Sequence, residues 1–146
     1  MKLTELQAEW EKDSKIDQTN LGNEAANTPK LHSKYITLLS NAKLNLRKAE
    51  SDYNNLRRMK FRYYRGEMTK AELEEAGWDQ WQGVKPLKNE MDEFLLCDAD
   101  LNRITDKLEY HKTVLYFLEQ VIRSLNSRTW DIKNSIEWTK FTNGLM

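Results

Sequence analysis

Two long stretches of the chain carry apolar residues at the alternating three- and four-residue spacing of heptad-packed helices. In the first stretch, Thr28 and Pro29 form a typical helix start, and neither Gly nor Pro recurs before Gly66. The predicted helix, over residues 29–65, would be about 55 Å long. Its apolar positions form a narrow stripe: Tyr35, Leu39, Ala42, Leu46, Ala49, Tyr53 and Leu56. A long helix with so narrow a stripe needs a partner helix.

The second stretch predicts that partner, because its three- and four-residue spacing is unbroken over residues 101–136. The stripe consists of Leu101, Ile104, Leu108, His111, Leu115, Leu118, Ile122, Leu125, Thr129, Ile132 and Ile136. Val114, Phe117 and Val121 widen its middle. Such a broad face indicates contacts on two sides, one with the first long helix and one with a neighbouring subunit. Packing within the chain alone is the alternative. The predicted oligomerisation residues are Leu108, Val114, Leu115, Phe117, Leu118, Val121, Ile122, Leu125 and Ile132.

The N-terminal region predicts a short helix, with Leu3, Leu6 and Trp10 on one face. The polar residues 17–20 then cap a helical turn over residues 22–26. The fold class is therefore all-α, with the two long helices packed as an antiparallel hairpin.

An acidic segment, residues 67–100, connects the two long helices. It contains ten acidic residues but only three lysines. Thr69 and Glu72 form the capping box of a short helix that Gly77 would end. Residues 87–97 predict either a further helix or the approach to the last one. The acids could screen nearby cations or meet a basic protein, although a solvated linker is the commoner case.

Composition excludes several classes of protein. The 23 basic and 23 acidic residues balance, so attraction to nucleic acid or membrane must come from local patches. Cys97 is the single cysteine, which excludes an intrachain disulfide, and no apolar run is long enough to span a membrane. His32 and His111 lie far from other ligands at metal-binding spacing, and the five glycines are scattered. We therefore expect no enzyme activity, no metal and no cofactor.

Residues 57–66 form a basic-aromatic stretch, in which five cations and three aromatic rings precede Gly66. Guanidinium and ammonium groups suit phosphates, and flat rings suit unstacked bases, so the stretch predicts a surface for single-stranded nucleic acid. The alternative is the basic end of a long helix, where cations interact with the helix dipole.

A helical projection places a solvent-facing stripe of cations along about 33 Å of the first long helix. This cationic stripe consists of Lys43, Arg47, Arg58, Arg62 and Arg65. Lys60 and Tyr63 instead continue the apolar stripe, Phe61 lies at the edge of the cations, and Tyr64 lies between the two stripes. A lysine on an apolar stripe costs stability, so it indicates a role in helix register or in ligand binding. The candidate DNA contacts are Lys43, Arg47, Arg57, Arg58, Lys60, Phe61, Arg62, Tyr63, Tyr64 and Arg65.

The sequence resembles the UvsY family of phage recombination mediators. The N-terminal region carries the resemblance at Leu6-Gln7, Lys12-Asp13, Ile16-Asp17 and Glu24-Ala25-Ala26-Asn27. In the basic-aromatic stretch, Arg58 and Lys60 match the family's two basic positions, and Tyr63-Tyr64 match its tyrosine pair. Phe61 replaces a leucine, whereas Arg57 and Arg62 stand where a leucine and an acid are expected. Trp78 and Trp81 have no clear counterpart.

The resemblance implies a non-enzymatic mediator in the cytoplasm of an infected bacterial host. Its partners would be single-stranded DNA, a RecA-like recombinase and the single-stranded-DNA-binding protein that the recombinase displaces. It would form a ring-like homo-oligomer of roughly six or seven subunits. Within a single helical domain, residues 1–66 would bind DNA, residues 67–100 would connect, and residues 101–146 would form the oligomerisation helix. The alternative is a helical adaptor or structural oligomer that binds an acidic protein.

Overall fold

The computed structural model describes residues 1–144 and contains only helices within that range. The five helices are α1 (Leu3–Asp13), α2 (Leu21–Tyr64), α3 (Lys70–Ala76), α4 (Met91–Leu96) and α5 (Ala99–Thr142). The prediction of an all-α fold with two long helices is therefore confirmed. None of the helices in the described range is long and apolar enough to span a membrane.

The chain forms two compact units, and both long helices contribute to each. Unit 1 consists of Met1–Leu44 and the chain from Lys112 onward, whereas unit 2 consists of Asn45–His111. In unit 1, the early part of α2 packs against the late part of α5. In unit 2, the end of α2 packs against the start of α5. Each unit therefore contains its own contact between the two long helices, Thr28 with Arg128 in unit 1 and Tyr64 with the residue that precedes α5, Asp98, in unit 2.

The core of unit 1 joins three helices. It contains Leu6 of α1, Leu31, Tyr35 and Ala42 of α2, and Val114, Leu118, Val121 and Leu125 of α5. Trp10 of α1 packs edge-on against Tyr35, with the ring centroids 5.3 Å apart. The α1 helix therefore packs into the same core as α2 and α5.

The predicted oligomerisation residues are accordingly engaged within the protomer. Leu108, Val114, Leu118, Val121, Leu125 and Ile132 are buried, and Leu115, Phe117 and Ile122 are half-buried. Packing within the chain therefore covers part or all of each of these side chains. The exposed large apolar side chains of α5 lie elsewhere: Tyr110, Tyr116, Trp130, Ile136, Trp138 and Phe141. A subunit interface on α5 remains a prediction.

The predicted start of α2 at Pro29 is wrong, because the helix begins at Leu21 and Pro29 lies inside it. A proline inside a helix removes one backbone hydrogen bond. Arg128, which is 3% exposed, binds the turn before the proline. Its guanidinium donates to the Glu24 carboxylate at 2.6 Å, to the Glu24 carbonyl at 3.2 Å and to the Thr28 hydroxyl at 3.0 Å. The turn predicted over residues 22–26 is thus the first part of α2.

Unit 2 confirms the predicted capping box. The Glu72 amide donates to the Thr69 hydroxyl at 3.2 Å, and the Thr69 amide donates to the Glu72 carboxylate at 3.3 Å. Gly77 ends α3 with a positive φ of 74°, a conformation that favours glycine. The core of this unit then joins the end of α2 to α4 and α5 through Tyr64, Met91, Leu95 and Leu101.

Candidate nucleic-acid interface

The basic-aromatic stretch occupies the last turns of α2 and splits into an outer and an inner part. Arg57, Arg58 and Arg65 are exposed, whereas Lys60 and Tyr64 are buried. The remaining members, Phe61, Arg62 and Tyr63, are half-buried. Each turn of the helix carries some side chains that face solvent and others that face the core. The stretch is therefore continuous in sequence but forms an exposed surface and a buried cluster in the structure.

Lys60 is 5% exposed, and its ammonium group lies between two carboxylates. The Nζ atom is 3.2 Å from Asp98 and 2.8 Å from Asp100. Asp98 also accepts hydrogen bonds from the Tyr64 hydroxyl at 2.7 Å and from the Leu101 amide at 3.0 Å. The latter bond caps the first turn of α5, so Lys60 neutralises a carboxylate that fixes the start of that helix.

This network sets the protonation of its members. Burial alone would raise the pKa of Asp98, but the hydrogen bonds from Tyr64 and the Leu101 amide, together with the Lys60 charge, hold that pKa below its usual value. Burial raises the pKa of Tyr64, and its hydrogen bond to Asp98 raises it further. Asp98 is therefore ionised and Tyr64 is neutral at physiological pH. An ionised Asp98 is what a buried lysine requires as its partner.

Two tryptophans of the acidic segment cover the inner part. The Lys60 ammonium lies 4.1 Å from the centroid of the Trp78 ring, a cation–π contact, and Trp78 also packs against Tyr63 at 5.4 Å. Trp81 packs edge-on against Tyr64 at 4.9 Å. Sequence reasoning assigned neither tryptophan a role. A lysine predicted to face inward indicates that some group must cover its charge, but the sequence does not identify Trp78, 18 residues from Lys60, as that group.

The outer part presents cations in different states of pairing. Within the described range, residues 1–144, no acidic side chain pairs with Arg58. Arg57 is 3.4 Å from Asp92, which is 90% exposed, and Arg65 Nε is 2.9 Å from Glu67.

Arg62 is engaged more fully than its neighbours. Both terminal nitrogens of its guanidinium donate to the Glu72 carboxylate, one of them at 3.0 Å. This pair lowers the pKa of Glu72 to about 2 and raises the pKa of Arg62. Among the cations of the predicted stripe, Arg62 is thus the one whose two terminal nitrogens both bind the same carboxylate.

The rest of the cationic stripe is exposed. In unit 2, Arg47 is 74% exposed and lies 3.7 Å from Glu50. Lys43 is also exposed but belongs to unit 1. The guanidinium of Arg65 lies 5.5 Å from the centroid of the Phe61 ring, which places a cation beside a partly accessible aromatic surface. Within unit 2, Arg47, Arg57, Arg58, Phe61 and Arg65 therefore offer charge and a ring to an anionic partner.

No metal-binding group was found among residues 1–144: no three His, Cys, Asp or Glu side chains lie in a suitable arrangement there. His111 is half-buried and packs against the Tyr110 ring at 5.8 Å.

Comparison with known proteins gives consistent matches over nearly the whole chain. Residues 9–145 match the family model described as recombination, repair and ssDNA binding protein UvsY. The chain is 29% identical over 144 residues to the recombination protein UvsY of Enterobacteria phage T4, covering 99% of both sequences. Two crystal structures of the bacteriophage T4 recombination mediator protein UvsY each match with a TM-score of 0.83 and 28% identity. These matches cover 98% of both chains in one crystal lattice, and 97% of this chain and 99% of the other in the second.

Proposed function

The chain belongs to the UvsY family of recombination, repair and single-stranded-DNA-binding proteins, and on this premise we propose that it is a phage recombination mediator. In this role it binds single-stranded DNA and helps a RecA-like recombinase to assemble on strands covered by single-stranded-DNA-binding protein. The T4 protein whose structures match is itself described as a recombination mediator. The proposed site of action is the cytoplasm of the infected host.

The exposed Arg58, which pairs with no acid among residues 1–144, is the observation that carries the proposal. It matches a basic position of the family's signature, and it lies on an accessible surface with Arg57 and Arg65. Guanidinium groups bind phosphate oxygens in two-point contacts, which gives affinity without dependence on base sequence. Phe61, beside Arg65, offers a partly exposed ring on which a base can stack. A mediator must act on any strand, and this combination suits sequence-independent binding.

One such surface is small, and the net charge of the chain is zero. We therefore propose that the functional form is a homo-oligomer of roughly six or seven subunits, in which repeated surfaces bind one strand with high avidity. Holding the strand on several subunits keeps it extended, in a form that a recombinase can take over. Sedimentation velocity tests the assembly: a monomer at micromolar concentration would contradict it.

Titration of a fluorescein-labelled oligo(dT) at increasing salt tests DNA binding. Affinity should fall steeply with salt as counterions are released from the strand. Arg58→Ala should weaken binding about three- to tenfold and reduce the salt slope by about one. Lys107→Ala is the matched control, because it removes an exposed cation of unit 2 on α5 and should change affinity little. Absence of binding at low salt would refute the proposal.

The loading step needs a separate assay. A RecA-like recombinase hydrolyses ATP on bare single strands, and pre-coating the strand with single-stranded-DNA-binding protein suppresses this activity. Addition of the present protein should restore it, and Arg58→Ala should restore it less. Binding without restoration would leave a DNA-binding protein that is not a mediator.

A further inference from the structure

Within residues 1–144, every carboxylate that pairs with the basic-aromatic stretch belongs to the acidic segment, residues 67–100. The pairs are Arg57 with Asp92, Lys60 with Asp98 and Asp100, Arg62 with Glu72, and Arg65 with Glu67. Four of the five cations in the stretch are therefore occupied from within the same chain. We propose that this segment competes with single-stranded DNA for the stretch, and that the strand binds fully only when α3 is displaced. This inference rests on the proposed function, because it concerns the regulation of the same DNA-binding surface.

The competition follows from shared chemistry. A carboxylate and a phosphate both present two oxygens that match the fork of a guanidinium group. Glu72 uses both terminal nitrogens of Arg62, and one of these also donates to the Glu67 carbonyl at 3.3 Å. Glu72 is held in place by its bonds within the Thr69 capping box. Arg62 cannot therefore present this two-nitrogen edge of its guanidinium to a phosphate until Glu72 withdraws.

The outer pairs are exchangeable because water reaches them. The side chains of Arg62 and Glu72 are each 35% exposed, and those of Arg65 and Glu67 are 53% and 47% exposed. Exposed ion pairs contribute little to stability, so a polyanion can replace the carboxylates at small cost. The pair between Lys60 and Asp98 differs, since its side chains are 7% and 4% exposed. DNA should therefore displace the outer acids and leave this inner pair in place.

The α3 helix is suited to movement. It contains seven residues, none of them buried, so its departure uncovers little apolar core. Trp78 follows Gly77 at its C-terminal end and packs on Lys60 and Tyr63. Movement of α3 that carries Trp78 and Asp79 away would release the Tyr63 hydroxyl from the Asp79 carbonyl and uncover the side of the ring that Trp78 covers, while Trp81 lies 6.1 Å away. The same movement thus frees Arg62 for a phosphate and Tyr63 for a base.

Charge-neutral substitution of Glu72 tests the competition directly. Glu72→Gln removes the charge that holds Arg62, yet glutamine still completes the capping box of α3. Its affinity for oligo(dT) at low salt should rise about two- to fivefold. Glu75→Gln is the matched control: it makes the same change in net charge, on an exposed residue one turn further along α3. Glu75→Gln should bind like the wild-type protein.

A second substitution shows whether the increased affinity of Glu72→Gln for oligo(dT) depends on Arg62. In the background of Arg62→Gln, the Glu72→Gln substitution should no longer increase affinity, because the released cation is absent. Hydrogen exchange of the wild-type protein supplies the structural readout. Saturating oligo(dT) should increase deuterium uptake in Lys70–Ala76, the helix that must leave.

The outcomes separate the two proposals. If the wild-type protein binds oligo(dT) but Glu72→Gln and Glu75→Gln bind equally, the competition is refuted and the DNA-binding function stands. Slower exchange of α3 in the presence of DNA would also refute it, because the helix would then be held rather than displaced. If the wild-type protein fails to bind, the DNA-binding function itself is refuted, and this inference with it.

Discussion

Replacement of Lys60 tests whether this residue of the basic-aromatic stretch stabilises the fold or contacts DNA. Lys60→Ala leaves Asp98 buried without the cation that neutralises it, at the point where that carboxylate caps α5. It also removes the cation–π contact with Trp78. We therefore expect the variant to be destabilised, and to lose DNA affinity only in so far as unit 2 unfolds.

The magnitude follows from the contacts that remain. Breaking a buried ion pair by removing one partner costs about 3–5 kcal/mol. Here Asp98 keeps its hydrogen bonds from Tyr64 and the Leu101 amide, and the second acid, Asp100, has a side chain that is 34% exposed. These contacts reduce the penalty, whereas loss of the contact with the Trp78 ring adds about 1 kcal/mol. We expect the free energy of unfolding to fall by about 2–4 kcal/mol.

Urea denaturation followed by circular dichroism measures this change. Arg58→Ala is the control, because an exposed and unpaired residue should alter stability by less than about 0.5 kcal/mol. In the double variant Lys60→Ala with Asp98→Asn, removal of the orphaned charge should recover part of the loss. The reasoning is refuted if Lys60→Ala unfolds at the wild-type urea concentration and weakens DNA binding as much as Arg58→Ala does.

Three further predictions concern stability. Arg128→Leu should lower the free energy of unfolding by about 2 kcal/mol, because the half-buried Glu24 carboxylate loses its cation; thermal denaturation would show a lower midpoint. Pro29→Ala should increase the free energy of unfolding by about 1–2 kcal/mol and so raise the thermal midpoint, since alanine donates the backbone hydrogen bond that a proline inside a helix lacks. An unchanged or lower midpoint would contradict a continuous α2. The pKa of Asp98 in the folded protein lies below its usual value, so the ionised carboxylate stabilises the fold at neutral pH, and this stabilisation is lost as the pH falls through the folded pKa. As the pH is lowered from about 5, the urea midpoint of the wild-type protein should therefore fall more than that of Asp98→Asn.

The elements with purely local causes were predictable from the sequence. The limits of α3 follow from the Thr69 capping box and Gly77, and both act within a few residues of the helix they bound. The stripe of α2 correctly placed Lys60 and Tyr63 towards the interior, because helical periodicity fixes the direction of every side chain once the helix exists.

The start of α2 was not predictable in this way. Pro29 is a strong local signal for a first helical turn, and by itself it favours a start there. What overrides it is Arg128, a hundred residues away, whose guanidinium binds the turn that contains Glu24 and Thr28. The partner of the broad face of α5 within the protomer was likewise not predictable: Leu6 and Trp10 of α1 join the core that this face contributes to. A pattern indicates that a face must be covered but does not identify its partner.

The same reasoning explains why counting cations overstates the charge of the candidate interface. Five positive charges over residues 57–65 suggest a strong local field, but carboxylates from residues 67–100 neutralise four of them, and Arg58 alone remains unpaired within the described range. The field that a DNA strand meets therefore depends on where the acidic segment lies, and hence on the cost of moving it. The signature positions are also divided, since Arg58 faces solvent whereas Lys60 supports the start of α5. Loss of DNA binding on substitution of both residues together would not identify the contact, so stability and affinity must be measured on each variant separately.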